Sequence, residues 1–158
     1  MILQNFLPKN IHSLRDVTIA ELEANKEKLS GVVYRRCSYI LNENQRLLSG
    51  CELLQKNDLA GFGKLMFKSH EGLSKWYEVS CPELDFLQEK AAGFKGVAGA
   101  RMMGGGFGGC TINIVPVNIL DEFTGYMTGV YQREYAKKPE IYITQLDNGA
   151  SILTRDYH

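Results

Sequence analysis

Residues 98–115 read A-G-A-R-M-M-G-G-G-F-G-G-C-T-I-N-I-V, and the fold depends on how this stretch is divided. On the C-terminal side of the glycines, Cys110, Ile112 and Ile114 alternate with Thr111, Asn113 and Val115, the period of two that marks a β-strand. Residues 98–102 read as a strand before them, and Pro116, with no N–H to offer a ladder, closes the pair. Between the strands stands G-G-G-F-G-G, Gly104 to Gly109. Each glycine costs about 0.5–1 kcal/mol of order relative to alanine, so a run of them signals a need for bare backbone. A connection that had only to be flexible would carry serine, asparagine and charges, whereas here Phe107 sits among glycines.

Two phosphate-binding motifs match the spacing and fail on context. Gly104, Gly106 and Gly109 satisfy G-x-G-x-x-G, but a dinucleotide fingerprint opens a helix, and these glycines lead instead into the strand C-T-I-N-I-V. Gly104 and Gly109 also frame a P-loop spacing before Cys110 and Thr111, yet Cys110 occupies the place of the phosphate-reaching lysine. Two readings stay open: N–H groups free of side chains approach either a phosphate-bearing ligand or another backbone.

N-terminal to this stretch the period is helical. Thr18 and Glu21 form a capping box with Val17 and Leu22 as its staple, and the helix they open closes at Ser30-Gly31. A longer helix is expected over residues 32–55, its buried stripe being Val33, Cys37, Ile40, Asn44, Leu47, Cys51 and Leu54. Asn57-Asp58 restarts the chain into a third helix with Leu59, Phe62, Met66, Ser69 and Leu73 inward, and His70 beside that face reads as a satisfied core residue or a helix-end cation. Ser80 with Glu83, Val79 with Leu84, and Pro82 in the first turn announce a fourth helix ending at Gly93.

On the C-terminal side, Leu120, Phe123, Met127, Val130 and Glu134 trace a fifth helix. Residues 141–146 and 151–154 read as strands around the turn signal Asp147-Asn148-Gly149. The order is four helices, strand, glycine loop, strand, helix, strand, turn, strand, an α+β content without internal repeats.

The 158 residues amount to one domain, with 18 basic and 18 acidic side chains, so no basic field points to a nucleic acid or an anionic membrane. A small molecule or another protein is the expected partner. Cys37, Cys51, Cys81 and Cys110 form no C-x-x-C pair and the three histidines are scattered, so four buried thiols are expected and no metal site. No leader and no apolar run near the roughly 20 residues of a membrane span are seen, which points to an intracellular, cytoplasmic protein.

S-H-E-G-L-S-K-W-Y-E-V-S-C-P-E-L-D, residues 69–85, followed by G-A-R-M-M-G-G-G-F-G-G-C-T, residues 99–111, closely resembles the C-terminal portion of the galactokinase family, part of the GHMP small-molecule kinase superfamily. L-R-D-V-T at 14–18 and N-E-N-Q-R at 42–46 look like the same family, so the resemblance covers most of the chain. It implies a GHMP kinase C-terminal domain, with a small antiparallel, ferredoxin-like sheet built from the strands around the glycine loop and the two C-terminal strands. The implied activity is transfer of the γ-phosphoryl group of ATP, with Mg²⁺, to the anomeric hydroxyl of galactose. The positions matching the family's glycine-rich third motif, beside the nucleotide phosphates, are Gly104, Gly105, Gly106, Phe107, Gly108 and Gly109.

Arg101 before the loop reaches either an acidic partner or a phosphate, and Met103 stands where the family usually has threonine. The sugar signature, nucleotide loop and catalytic aspartate of the family lie in an N-terminal lobe that this sequence does not contain. No catalytic residue is therefore assigned, and the chain alone is expected to be inactive. A non-catalytic galactose-sensing or interaction module on the kinase fold, or a lobe of an N-acetylgalactosamine kinase, are the alternative readings. Apolar surface left by the absent lobe is expected to promote homo-oligomers, and Gly106→Val is expected to impair phosphoryl transfer far more than folding.

Overall fold

The structure is a computed structural model that describes residues 2–145. Its N-terminal segment has two 3₁₀ turns, Ile2–Asn5 and Leu14–Asp16, and then enters helix α1, Ile19–Ala24. The capping box forms as the sequence requires: Thr18 accepts from the Glu21 N–H, and the Glu21 carboxylate accepts from the Thr18 N–H. The Lys9 ammonium and that N–H hold the Glu21 carboxyl down at about 2. The staple residues Val17 and Leu22 are both buried, in a core cluster with Leu3, Ile11 and Leu41. α1 ends earlier than expected, because Asn25 folds its side-chain amide back onto the Glu21 carbonyl and hands the chain to a 3₁₀ turn, Lys26–Lys28.

Helix α2, Gly31–Gln55, opens on Ser30, whose hydroxyl accepts from the Val33 N–H, and has the expected length. Its packing face differs from the expected stripe. Helix α3, Leu59–Gly72, runs back along it, so that Tyr39 meets Gly72, Glu43 meets Ser69, Gly50 meets Phe62 and Leu53 meets Gly61. This face is offset by about one residue, roughly 100° of helix, from the apolar stripe. Leu47, Cys51 and Leu54 consequently stand exposed, and Leu47 is 67% accessible. Small and polar side chains win the interface because Gly50 and Gly72 admit the Phe62 and Tyr39 rings.

Leu59, also expected inward on α3, is exposed, whereas Met66, Ser69 and His70 are buried. The chain then widens into a single π turn, Leu73–Tyr77, and leaves it through Glu78 in the left-handed region. Helix α4, Pro82–Gly93, ends where the sequence places it, but its N-cap is Cys81 and not Ser80. The Ser80 hydroxyl is turned to Asp85, so the expected Ser80–Glu83 box does not form.

Strands β1, Gly99–Met103, and β2, Cys110–Ile114, pair antiparallel with Gly99 opposite Ile114 and Met103 opposite Cys110. α3 packs against β1 so closely that a Cβ on Gly63 would lie 1.7 Å from the Ala98 carbonyl oxygen. Helix α5, Leu120–Tyr135, buries Phe123, Met127 and Val130 as its period requires. Phe123 and Met127 join Ala91 of α4 and Ala100 of β1 in a second core cluster.

Among the described residues this is an α+β fold with a two-stranded sheet. Of the expected strand 141–146, residues 141–145 carry no regular structure and are exposed, since no ladder partner reaches them among the described residues. The rest of that strand, the turn at 147–149 and the strand 151–154 lie outside the described residues. The four thiols are not buried as expected: Cys51 and Cys110 are exposed and Cys37 and Cys81 half-buried. No helix among the described residues is long and apolar enough to cross a membrane.

Candidate functional site

The glycine stretch is the loop joining β1 to β2, and no helix begins at it, which disposes of the Rossmann and P-loop geometries. Gly104, Gly106, Gly108 and Gly109 all have positive φ, a region closed to most side chains. Phe107 joins them at φ 60, at a cost of roughly 1–2 kcal/mol for a residue with a Cβ. Its N–H donates to the Val79 carbonyl at 2.7 Å, and the residue is 76% accessible.

The bare backbone serves two purposes. At Gly106 it lets another backbone in: a Cβ there would lie 2.0 Å from the Val79 carbonyl oxygen. Gly106→Val therefore strikes local folding directly, a cost that the expected loss of phosphoryl transfer comes on top of. At Gly104, Gly105 and Gly108 a Cβ would meet nothing within 4 Å. These three line open space, with N–H groups that find no acceptor among the described residues.

The root of the loop is held by a buried histidine. The Met102 N–H donates to His70 Nδ1 at 3.0 Å, so that nitrogen is unprotonated and Nε2–H is left to donate to Asp85 Oδ1, also at 3.0 Å. Burial pushes the His70 pKa below its ordinary value against the pull of the Asp85 carboxylate. His70 is thus the satisfied core residue of the two expectations. Asp85 accepts further bonds from Ser80 Oγ at 2.6 Å and Ser74 Oγ at 3.0 Å.

Arg101 takes the acidic partner. Its guanidinium lies 3.6 Å from Glu43 and donates to Ser69 Oγ, which donates to Glu43 at 2.6 Å. Arg46 Nε binds the other Glu43 oxygen at 2.7 Å. Glu43 thereby ties α2 to α3 and to β1. Met103 is half-exposed beside the loop and brings no hydroxyl.

A separate groove of about 290 Å³ opens between α2 and α3, with Tyr39, Arg46, Lys68 and Trp76 on its walls. Burial pushes the Tyr39 phenol up to about 12, so it stays neutral. No glycine-loop residue lines this groove. Among the described residues no group of three or more His, Cys, Asp or Glu side chains is placed to hold a metal.

The sequence singled out the loop but not the pieces that fix it. Glu43, Asp85 and Val79 act over separations that no local period reports, and their only signal lay in the family-like stretches 42–46 and 69–85.

Residues 52–118, which contain the loop and its anchors, match the family model described as "GHMP kinases C terminal". Over those residues the chain is similar to the C-terminal domains of GHMP kinases. Within that class its relatives are galactokinases: the Clostridium acetobutylicum enzyme is 44% identical over 143 residues, which are 90% of this chain and 37% of that protein. Galactokinase from Canis lupus familiaris is 40% identical over 141 residues, 89% of this chain and 35% of that protein. A crystal structure of Lactococcus lactis galactokinase complexed with galactose superposes with a TM-score of 0.80 at 33% identity, covering 86% of this chain and 35% of that one. By sequence and fold the chain is similar to part of the galactokinases, and it spans about a third of the length of the relatives it matches.

Proposed function

We propose that this chain is the C-terminal part of a galactokinase, and that residues 104–109 form the edge of its nucleotide site. The observation that carries the reading is the loop itself: Gly104, Gly105 and Gly108 border open space with N–H groups that have no partner among the described residues, while Gly106 and Phe107 are pinned to Val79. Such a surface suits the oxygens of ATP phosphates, which take N–H donors without needing side chains. Phosphoryl transfer rests on positioning and charge stabilisation. In this reading the loop contributes positioning, and Mg²⁺, the base and most of the galactose contacts come from elsewhere in the enzyme. The reaction is transfer of the γ-phosphoryl group of ATP to the anomeric hydroxyl of galactose, and the location is the cytoplasm.

A chimera tests this. This chain would replace the matching stretch of the Clostridium acetobutylicum galactokinase, and turnover would be followed in a coupled assay with galactose and ATP. ATP- and galactose-dependent turnover by the chimera is expected, with none from this chain alone. A folded chimera without turnover overturns the reading, and preference for N-acetylgalactosamine over galactose would reassign the substrate.

A further inference from the structure

Two backbone N–H groups fix the glycine loop, and both lead to one carboxylate. At the root, the Met102 N–H is held by His70, whose other ring nitrogen donates to Asp85 Oδ1. At the tip, the Phe107 N–H is held by the Val79 carbonyl, and the next residue, Ser80, donates to the same Asp85 oxygen. We propose that Asp85 is a positioning residue for the glycine loop, setting its two anchors relative to each other through His70 and Ser80.

Three observations carry this. First, Ser80 has a local alternative: the capping-box partner Glu83 lies three residues on, yet the hydroxyl is turned to Asp85. Second, the loop has little else to define its path. A Cβ at Gly104, Gly105 or Gly108 would touch nothing, so the anchors at Met102 and Phe107 set where the intervening N–H groups point. Third, the third donor on Asp85 is Ser74, inside the π turn that carries the chain toward Val79. The carboxylate therefore gathers the turn before the tip anchor, the residue after it, and the histidine of the root anchor. A placement at the start of α4 alone, where the helix end favours any acid, would require none of these bonds.

The consequence for catalysis rests on the proposed function, because displaced N–H groups matter only if they meet phosphate. A small misplacement of a positioning group lowers rate or affinity by far more than the strength of one hydrogen bond suggests.

Amide exchange by NMR on this chain tests the anchors without any assay. In Asp85→Ala, exchange at both Met102 and Phe107 should rise about tenfold, with Phe123 and Met127 of α5 unchanged. Asp85→Asn, which keeps an acceptor oxygen toward His70 and Ser80, should restore most of the protection. Ser80→Ala should loosen Phe107 alone, and it decides the matter should Asp85→Ala fail to fold. The proposal is overturned if Phe107 is unmoved in Ser80→Ala, if either anchor is unmoved in a folded Asp85→Ala, or if α5 loosens to the same extent. In the chimera Asp85→Ala and Ser80→Ala should raise the KM for ATP about tenfold, Asp85→Asn should raise it little, and the KM for galactose should be unchanged in all three. Loosened anchors with an unchanged KM for ATP would uphold Asp85 and sink the phosphate-facing reading of the loop.

Discussion

Gly105 and Gly106 are neighbours that answer differently to one added methyl group. At Gly105 the space is open and φ is not in the positive range, so Gly105→Ala should leave folding within about 0.5 kcal/mol of the parent. At Gly106 the methyl would collide with the Val79 carbonyl in a backbone region that alanine avoids, and Gly106→Ala should cost about 2–4 kcal/mol. Urea denaturation of the two variants checks the contrast, and equal midpoints would contradict it. The composition G-G-G-F-G-G announced bare backbone but not which glycine met what, because the Val79 carbonyl arrives from a turn far along the chain.

His70 makes a pH prediction of definite sign. Its pKa is lowered on folding from 6.5, so below that value the unfolded chain binds more protons and stability falls as pH drops. The slope from this one group is at most about 1.4 kcal/mol per pH unit. The charged and titratable group facing it is Asp85 of α4, which opposes the shift without reversing it. Urea midpoints at pH 7.5 and pH 5.5 should differ in the parent and differ less in His70→Asn; an equal difference in both would remove His70 from the account.

At the scale of elements, boundaries were legible where side chains report them locally. Thr18 with Glu21 starts α1, the alternation at 110–114 gives β2, and the spacing of Phe123, Met127 and Val130 gives α5, whereas Ser30, read as closing the first helix, instead caps α2. The face of α2 was not legible, since period alone assigns the apolar stripe inward, whereas the glycines at 50 and 72 and the Glu43 network turn a neighbouring face toward α3. The π turn after α3 likewise has no periodic signal. The junction of α3 with β1 is the element-level test. A side chain at Gly63 must push against the Ala98 carbonyl, and a Cβ on Gly99 would lie 2.5 Å from the Gly63 Cα. Because the obstruction is backbone on both sides, Gly63→Ala should destabilise by about 3 kcal/mol or more, despite alanine's better helix propensity. A thermal midpoint equal to or above the parent's would show that α3 and β1 part easily.

For the molecule as a whole, the offset of α2 leaves an apolar strip that nothing covers among the described residues. Leu47 and Leu48 are 67% and 59% accessible, and Leu54 and Leu59 continue the strip across the α2–α3 turn. Apolar surface of this kind on a chain with no net charge favours association, and a second copy of the same strip is the partner always at hand. Sedimentation velocity should show the weight-average mass rising with concentration. Leu47→Glu with Leu48→Glu, both far from the glycine loop in sequence, should return the chain to monomer without lowering its thermal midpoint, since neither side chain is buried. Association that persists in the double variant would move the contact elsewhere, the exposed Phe107 and Val117 being next to test.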